Sequence, residues 1–287
     1  MMSFAERLTF ACSRVLRTHR WRMVFALSMV AGFISACAPK SDDSTPPADL
    51  QSAQVGYLQA PRLTATTLLD RSFSVKGVAA KGARIRLSSP EGQAFGTTAD
   101  DQGVWQIDVP RNAAGPQQAL LFGLSEDIEG RIIQAEFYVA LLPDPQVPVV
   151  LLRAGTGAQT LFHGASFAIT TADFDGAGAL TVSGFAPAGK PIKASLNGSA
   201  TIESFAGQDG RFSVGLPSSA PTVMRQIQIL SGMDQRTLRV DVSAHRLPAG
   251  TLADTTRLAS GWRIDWTTPS GGIQTTFVQS PAVGVKP

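Results

Sequence analysis

Few side chains in this sequence are of the types that do chemistry by themselves. Three histidines and two cysteines stand among 287 residues. His163 sits in Leu-Phe-His-Gly-Ala-Ser, near Ser166, Asp173 and Asp175, which are the residue types of a nucleophile, a base and an orienting acid. The Gly-x-Ser-x-Gly turn that lifts a nucleophilic serine above a sheet is missing, so a histidine in a turn accounts for the cluster. His245 reads as a surface residue at a strand end. Asp173-Phe-Asp-Gly-Ala-Gly begins like a calcium loop, with Asp173 and Asp175 ahead of a glycine turn. The third acidic ligand and the closing glutamate of such a loop are absent, and a turn before a strand explains the run without metal. Asp100-Asp101 is weaker still, because its counterpart at 207–208 is Gly-Gln. The sequence carries no phosphate-cradling glycine loop, Cys/His metal cluster or framed pair of carboxylates. The expectation is a protein without catalytic activity, metal or cofactor.

Cys37 is the remaining reactive position. Arg7, Arg14, Arg17, Arg20 and Arg22 precede an uncharged, mostly apolar run of 14 residues from Met23 to Ala36. Basic, then apolar, then small residues is the order of a secretory signal, and the run falls short of the roughly 20 residues needed to cross a bilayer. Ile34-Ser35-Ala36-Cys37 places an aliphatic residue and two small residues before a cysteine, and this resembles the lipobox of bacterial lipoproteins. The resemblance implies that 1–36 is a cleaved lipoprotein signal peptide and that Cys37 becomes the acylated first residue, holding the chain to a membrane. A plain secretory signal and an uncleaved anchor are the other readings. Cys12 lies in the leader, so the mature chain has no second cysteine to pair with. A lone free thiol in an oxidising compartment is a liability, and acylation removes it. Ala38 in place of Asp implies, by the same resemblance, outer-membrane retention where the organism has two membranes.

The mature chain is nearly neutral. Setting aside those five arginines and Glu6, the 25 basic and 22 acidic residues become 20 and 21. The basic isoelectric point therefore belongs mostly to the leader and makes no case for nucleic acid. Residues 37–53, rich in Pro, Ser and Asp, read as a flexible linker, semi-extended by its prolines.

An internal repeat then sets the fold. Residues 72–110 align with 179–217 without a gap. Val75, Gly77, Ala79, Gly82, Ile85, Ser88, Ala99, Gly103 and Pro110 recur as Val182, Gly184, Ala186, Gly189, Ile192, Ser195, Ala206, Gly210 and Pro217. Trp105, Ile107 and Val109 match Phe212, Val214 and Leu216. At the same offset Leu120 and Phe122 match Ile227 and Ile229, and Ile133 and Ala135 match Val240 and Val242. A preserved apolar face means a preserved strand register, because a slip of one residue turns every side chain over. Apolar and polar residues alternate in each copy: Ala83, Ile85 and Leu87 lie opposite Arg84 and Arg86, and Leu238, Val240 and Val242 opposite Arg239 and Asp241. Period two between glycine turns argues antiparallel strands with one wet face, and turn signals at this spacing suggest a β-sandwich.

The pattern Val-x-Gly-x-Ala-x-x-x-x-Gly, then Ile, then a Gly-x-aromatic strand ending in Pro resembles bacterial immunoglobulin-like and carboxypeptidase-regulatory-like surface domains. The resemblance covers roughly 55–142 and 165–247. It implies two tandem immunoglobulin-like β-sandwiches, 54–144 and 145–248, without catalytic residues, acting in adhesion, spacing or as accessory modules. Neither copy has the inter-sheet cysteine pair of antibody domains. The three prolines of 142–148 predict a stiff, extended joint between the copies. Val149 to Arg153 then restarts a strand, and Gln159 to Thr170 is expected to make another pair.

The tail, 249–287, predicts a C-terminal β-hairpin from Gly261 to Val278. Trp262, Ile264 and Trp266 share one face, with Ile273, Thr275 and Phe277 expected to return on the same side. An isolated hairpin is marginal in water, so this face needs cover. Either the second sandwich supplies it, or Trp262, Ile264, Trp266 and Phe277 anchor a partner such as an envelope protein or a carbohydrate. The functional expectation is a lipid-anchored envelope protein serving as a non-catalytic binding or spacing module. The alternative is an accessory subunit of a surface assembly with no ligand of its own.

Overall fold

The computed structural model describes residues 59–111, 119–161, 167–176, 178–217, 223–243 and 247–280. The fold is all-β. The first copy contains β1 (Arg62–Leu68), β2 (Ser72–Val78), β3 (Arg84–Ser88), β4 (Ala94–Thr98), β5 (Val104–Pro110), β6 (Leu120–Ile128) and β7 (Arg131–Leu141). After it come β8 (Val149–Leu152) and β9 (Gln159–Thr160). The second copy contains β10 (Ala168–Phe174), β11 (Ala179–Phe185), β12 (Pro191–Leu196), β13 (Ile202–Phe205), β14 (Arg211–Pro217), β15 (Met224–Ser231) and β16 (Asp234–Asp241). The tail adds β17 (Ala253–Leu258), β18 (Gly261–Thr267) and β19 (Ile273–Gln279). The strands form four antiparallel sheets, ordered β1-β2-β5, β4-β3-β6-β7-β8-β9, β14-β11-β10-β19-β18-β17 and β13-β12-β15-β16.

Each copy is a sandwich of two sheets around its own core. Trp105, Ile107 and Val109 are buried in the first with Phe73, Ile85, Leu87 and Phe122. Phe212, Val214 and Leu216 are buried in the second with Leu180, Ile192, Ile227 and Ile229. The repeat extends to backbone detail. Ala79 N donates to Gly103 O at 2.9 Å, and Ala186 N to Gly210 O at 2.8 Å. β1 and β10 each carry a register shift, after Leu63 and Ile169. At the shift Thr64 Oγ1 donates to Lys76 O and Thr170 Oγ1 to Ser183 O, both at 3.3 Å.

Gly77 and Gly184 recur for a steric reason. A Cβ on Gly77 would strike the Arg62 carbonyl and the Trp105 ring, and one on Gly184 the Ala168 carbonyl and the Phe212 ring. The neighbouring strand and the core aromatic both close on these bare backbones.

The structure differs from the sequence reading in three places. The proline segment is not an extended joint. It is the turn of a β7–β8 hairpin, in which Leu141 pairs with Val149 and Leu142 N donates to Pro148 O at 3.0 Å. Prolines suit a turn as well as a spacer, since both leave backbone donors unused. Val149–Leu152 therefore belongs to the first sandwich's sheet and not to a domain beginning at residue 145, and β9 pairs with β8. The tail, in turn, is not a separate hairpin. β19 pairs with β10 over Thr171–Phe174, and β18 and β17 follow outward in the second sandwich's sheet. The third difference, the hairpin's register, is described with the site it forms.

Gly184→Ala is expected to destabilise the second sandwich by about 1–3 kcal/mol, the usual cost of forcing atoms into a filled core, measured as a lowered urea midpoint with unchanged slope.

Candidate functional site

The tail hairpin builds the most distinctive feature of the molecule, a third apolar core between the two sandwiches. β8 and the adjoining halves of β6 and β7 are apolar on both faces. Phe122, Leu124, Val139, Leu141, Val149 and Leu151 turn into the first sandwich, while Leu121, Ala140, Val150 and Leu152 turn the opposite way. Across from the second set stand Trp262, Ile264 and Trp266 of β18 with Val278 of β19, all at most 2% exposed. Tyr138 meets Trp266 edge to face, with ring centroids 5.8 Å apart. The hairpin's aromatic face is thus covered neither by the second sandwich nor by a partner, but by the outer face of the first sandwich.

The register of this hairpin corrects the expected one. Trp262 faces Val278, Ile264 faces Thr276 and Trp266 faces Gln274. Strand β18 runs through Thr267, which pairs with Ile273, so the connection 268–272 has an odd number of residues and like parities pair. Phe277 therefore points away from the tryptophans, into the second sandwich's core beneath the Arg263 guanidinium, 5.6 Å from its ring centre. Ile273, expected beside it, is 40% exposed.

Two carboxylates pin the rim of the third core. Asp144, in the β7–β8 turn, is 5% exposed. Its Oδ2 accepts from Arg257 Nη1 at 2.7 Å, Ser280 Oγ at 2.8 Å and Trp262 Nε1 at 3.2 Å, and its Oδ1 from Gln146 N at 3.0 Å. Burial pushes its pKa up, but the donors from Arg257, Ser280, Gln146 and Trp262 outweigh that and hold it below the usual carboxylate value. Asp173, on β10, is fully buried as well. Its oxygens accept from Thr276 Oγ1 at 2.6 Å, Ala158 N at 2.7 Å and Gln274 Nε2 at 3.3 Å. All three donors are neutral, so desolvation wins and raises its pKa from 3.8 to about 6. Gln274 also donates to Arg153 O and accepts from Gly155 N. Asp173 and Gln274 together dock the 153–158 loop, which leaves the first sandwich, on the second sandwich's sheet.

The expected site residues are distributed as follows. Cys37, His163, Ser166 and His245 lie outside the described residues. Asp173 and Asp175 do not act together: Asp173 faces the inter-sandwich loop, while Asp175 is exposed and its Oδ1 accepts from Gly178 N and Ala179 N in the β10–β11 turn. These are arrangements for closing a loop and a turn, and among the described residues no three His, Cys, Asp or Glu side chains converge. Asp144, Gln274 and Thr276 were missed. The one available signal for Asp144 was its place between two prolines, a common setting for a turn-capping acid. A shallow concavity of about 670 Å3 lies on the open part of the same sheet face, over β3, β4, β6 and β7, with Arg84 and Arg86 beside the side-chain-free Gly96.

No protein-family model and no curated protein matches the chain. Among solved structures, the BSP domain of a biofilm-associated protein is similar at 10% identity over 69% of this chain and 32% of its own, with a TM-score of 0.22. An adhesin described as Ca2+-stabilized, with which an Antarctic bacterium binds ice, is similar at 14% identity over 78% of this chain and 67% of its own, with a TM-score of 0.23. Superpositions this loose do not transfer a site.

Trp266→Ala is expected to cost about 3–5 kcal/mol and to split a single calorimetric transition into two, one for each sandwich. Asp173 has a distinct pH signature. Its folded pKa of about 6 lies above the ordinary 3.8, so the unfolded chain loses this proton first. Its contribution to stability is full below about pH 4, falls as pH rises through 6, and by then has declined by about 3 kcal/mol. Asp173→Asn is expected to flatten that slope, measured as the difference between the two proteins' urea midpoints across pH 4–7.

Proposed function

We propose that this chain is a lipid-anchored protein of the cell envelope, in which two immunoglobulin-like sandwiches act as one rigid, non-catalytic module that spaces or presents a binding surface away from the membrane. The third apolar core carries this reading. A flexible tether needs no such core, whereas a spacer or a presentation platform works only if its units keep a fixed angle. Ile34-Ser35-Ala36-Cys37 and the Pro- and Ser-rich stretch after it support the anchoring, with the linker giving clearance from the lipid. The membrane is the partner at the N-terminus. A carbohydrate or another envelope protein is the class of partner for the folded part.

Cys37→Ala is expected to abolish fatty-acid labelling and to move the protein from the membrane to the soluble fraction. Retention in the membrane with the leader intact by mass spectrometry overturns the anchoring. A carbohydrate-binding screen of the released protein distinguishes presentation of a ligand site from spacing alone.

A further inference from the structure

The repeat supplies an internal comparison for one edge of the molecule. β1 and β10 are equivalent strands, with the same bulge and the same threonine bond at it. Their outer edges differ. On β10, Thr171–Phe174 pair with β19. The equivalent stretch of β1, Ala65–Leu68, ends its sheet and has no strand beside it among the described residues. An open row of backbone donors and acceptors is a template for pairing, and natural sheets guard it with charge, proline or distortion.

The other edge strands among the described residues carry such guards or are too short to pair. β5 has Asp108, β13 Glu203, β14 Arg211, β16 Arg236 and β17 Arg257, while β9 is only two residues long. β4 is uncharged but has Gly96 at its centre and runs against β5. β1 has a charge only at its first residue, Arg62; from Leu63 to Leu68 it has neither charge nor proline, and its Thr-rich sequence favours an extended strand. Thr64, Ala65 and Thr67 are exposed. Thr66 turns the other way, and its hydroxyl is buried without a hydrogen-bond partner among the described residues.

We propose that β1 pairs antiparallel with β1 of a second copy of this chain, joining the two β1-β2-β5 sheets into one continuous sheet. The stretch is self-complementary. It is neutral from Leu63 to Leu68, so no like charges meet, and a two-fold axis at Thr66 sets that residue opposite the second copy's Thr66 on the inner face of the joined sheet. The same axis sets Ala65 opposite the second copy's Thr67. Each partner uses up the other's open edge, so the assembly closes at two.

The test is light scattering on the full chain purified in detergent, over a wide concentration range, beside the double variant Ala65→Lys/Thr67→Lys. Both positions are exposed, so the variant keeps the fold but sets lysine against lysine at the pairing. The expected result is a mass that doubles with concentration in the wild type and stays monomeric in the variant, with unchanged circular dichroism. A wild type that is monomeric throughout, or a variant that dimerises equally well, overturns the proposal. Should the variant lose its fold, amide hydrogen exchange of residues 65–67 in the wild type decides. Protection that grows with protein concentration supports the pairing. Protection independent of concentration means that another segment of the same chain covers the edge, and fast exchange throughout means that nothing does; either result overturns it.

Discussion

A sheet with apolar patches on both faces has to lie inside a stack, and this chain contains two of them. β6, β7 and β8 bury one face in the first sandwich and hold Leu121, Val150 and Leu152 on the other. β18 and β19 hold Trp262, Ile264, Trp266 and Val278 outward from a sheet whose inner face contributes Phe277 to the second sandwich. Neither outward face is tolerable in water, and each is the cover for the other. The four sheets thus enclose three apolar layers, with the middle one owned by neither repeat. Burial of this kind is non-directional, so it favours contact without specifying one angle. The polar groups at its rim supply that specification.

Those polar groups do it at different energetic cost. Asp144 has a guanidinium beside it, and its hydrogen bonds hold it ionised. The pair stabilises the folded state at neutral pH and weakens in acid. Asp173 has only neutral donors, so ionisation at neutral pH costs stability. Its compensation is geometric. A carboxylate that accepts from Ala158, Thr276 and Gln274 at once fits one placement of the 153–158 loop against β10 and β19. On the far side, Arg263 binds Asp265 and donates to the carbonyls of Asp241 and Ser243, tying β18 to the end of β16. The tail is fastened to both sheets of the second sandwich and to the outer face of the first.

Much of each sandwich was legible in the sequence because it is local and repeated. The alternation in 83–87 and 105–109 leaves little choice of face, and the paired glycines mark backbones that close on an aromatic ring. The junction was not legible in the same way. Val149-Val150-Leu151-Leu152 has no alternation, since both of its faces are buried, and such a run says nothing about which sheet it joins. The prolines before it suit a turn and a spacer equally. In the tail, the alternation at 262–266 found the right strand and the right face. The return strand depended on whether the turn had an odd or even number of residues, which composition does not reveal. Asp173 drew attention as a carboxylate near a glycine turn, but its surroundings come from Thr276 and Gln274, about a hundred residues away, and no local pattern connects them.

The pairing of β10 with β19 also orders events in time. The chain is synthesised from its N-terminus, so both sandwiches of the repeat emerge before the strands that join them. Until residues 261–279 are made, the first sandwich carries a bare aliphatic face and β10 an open edge, the conditions under which nascent chains stick to one another. Contacts that span so much sequence form slowly, so that face has to be sheltered until the tail arrives. A ribosome that stops short of Trp262 would release a product with two formed domains and nothing to hide the surface between them, a natural substrate for proteases.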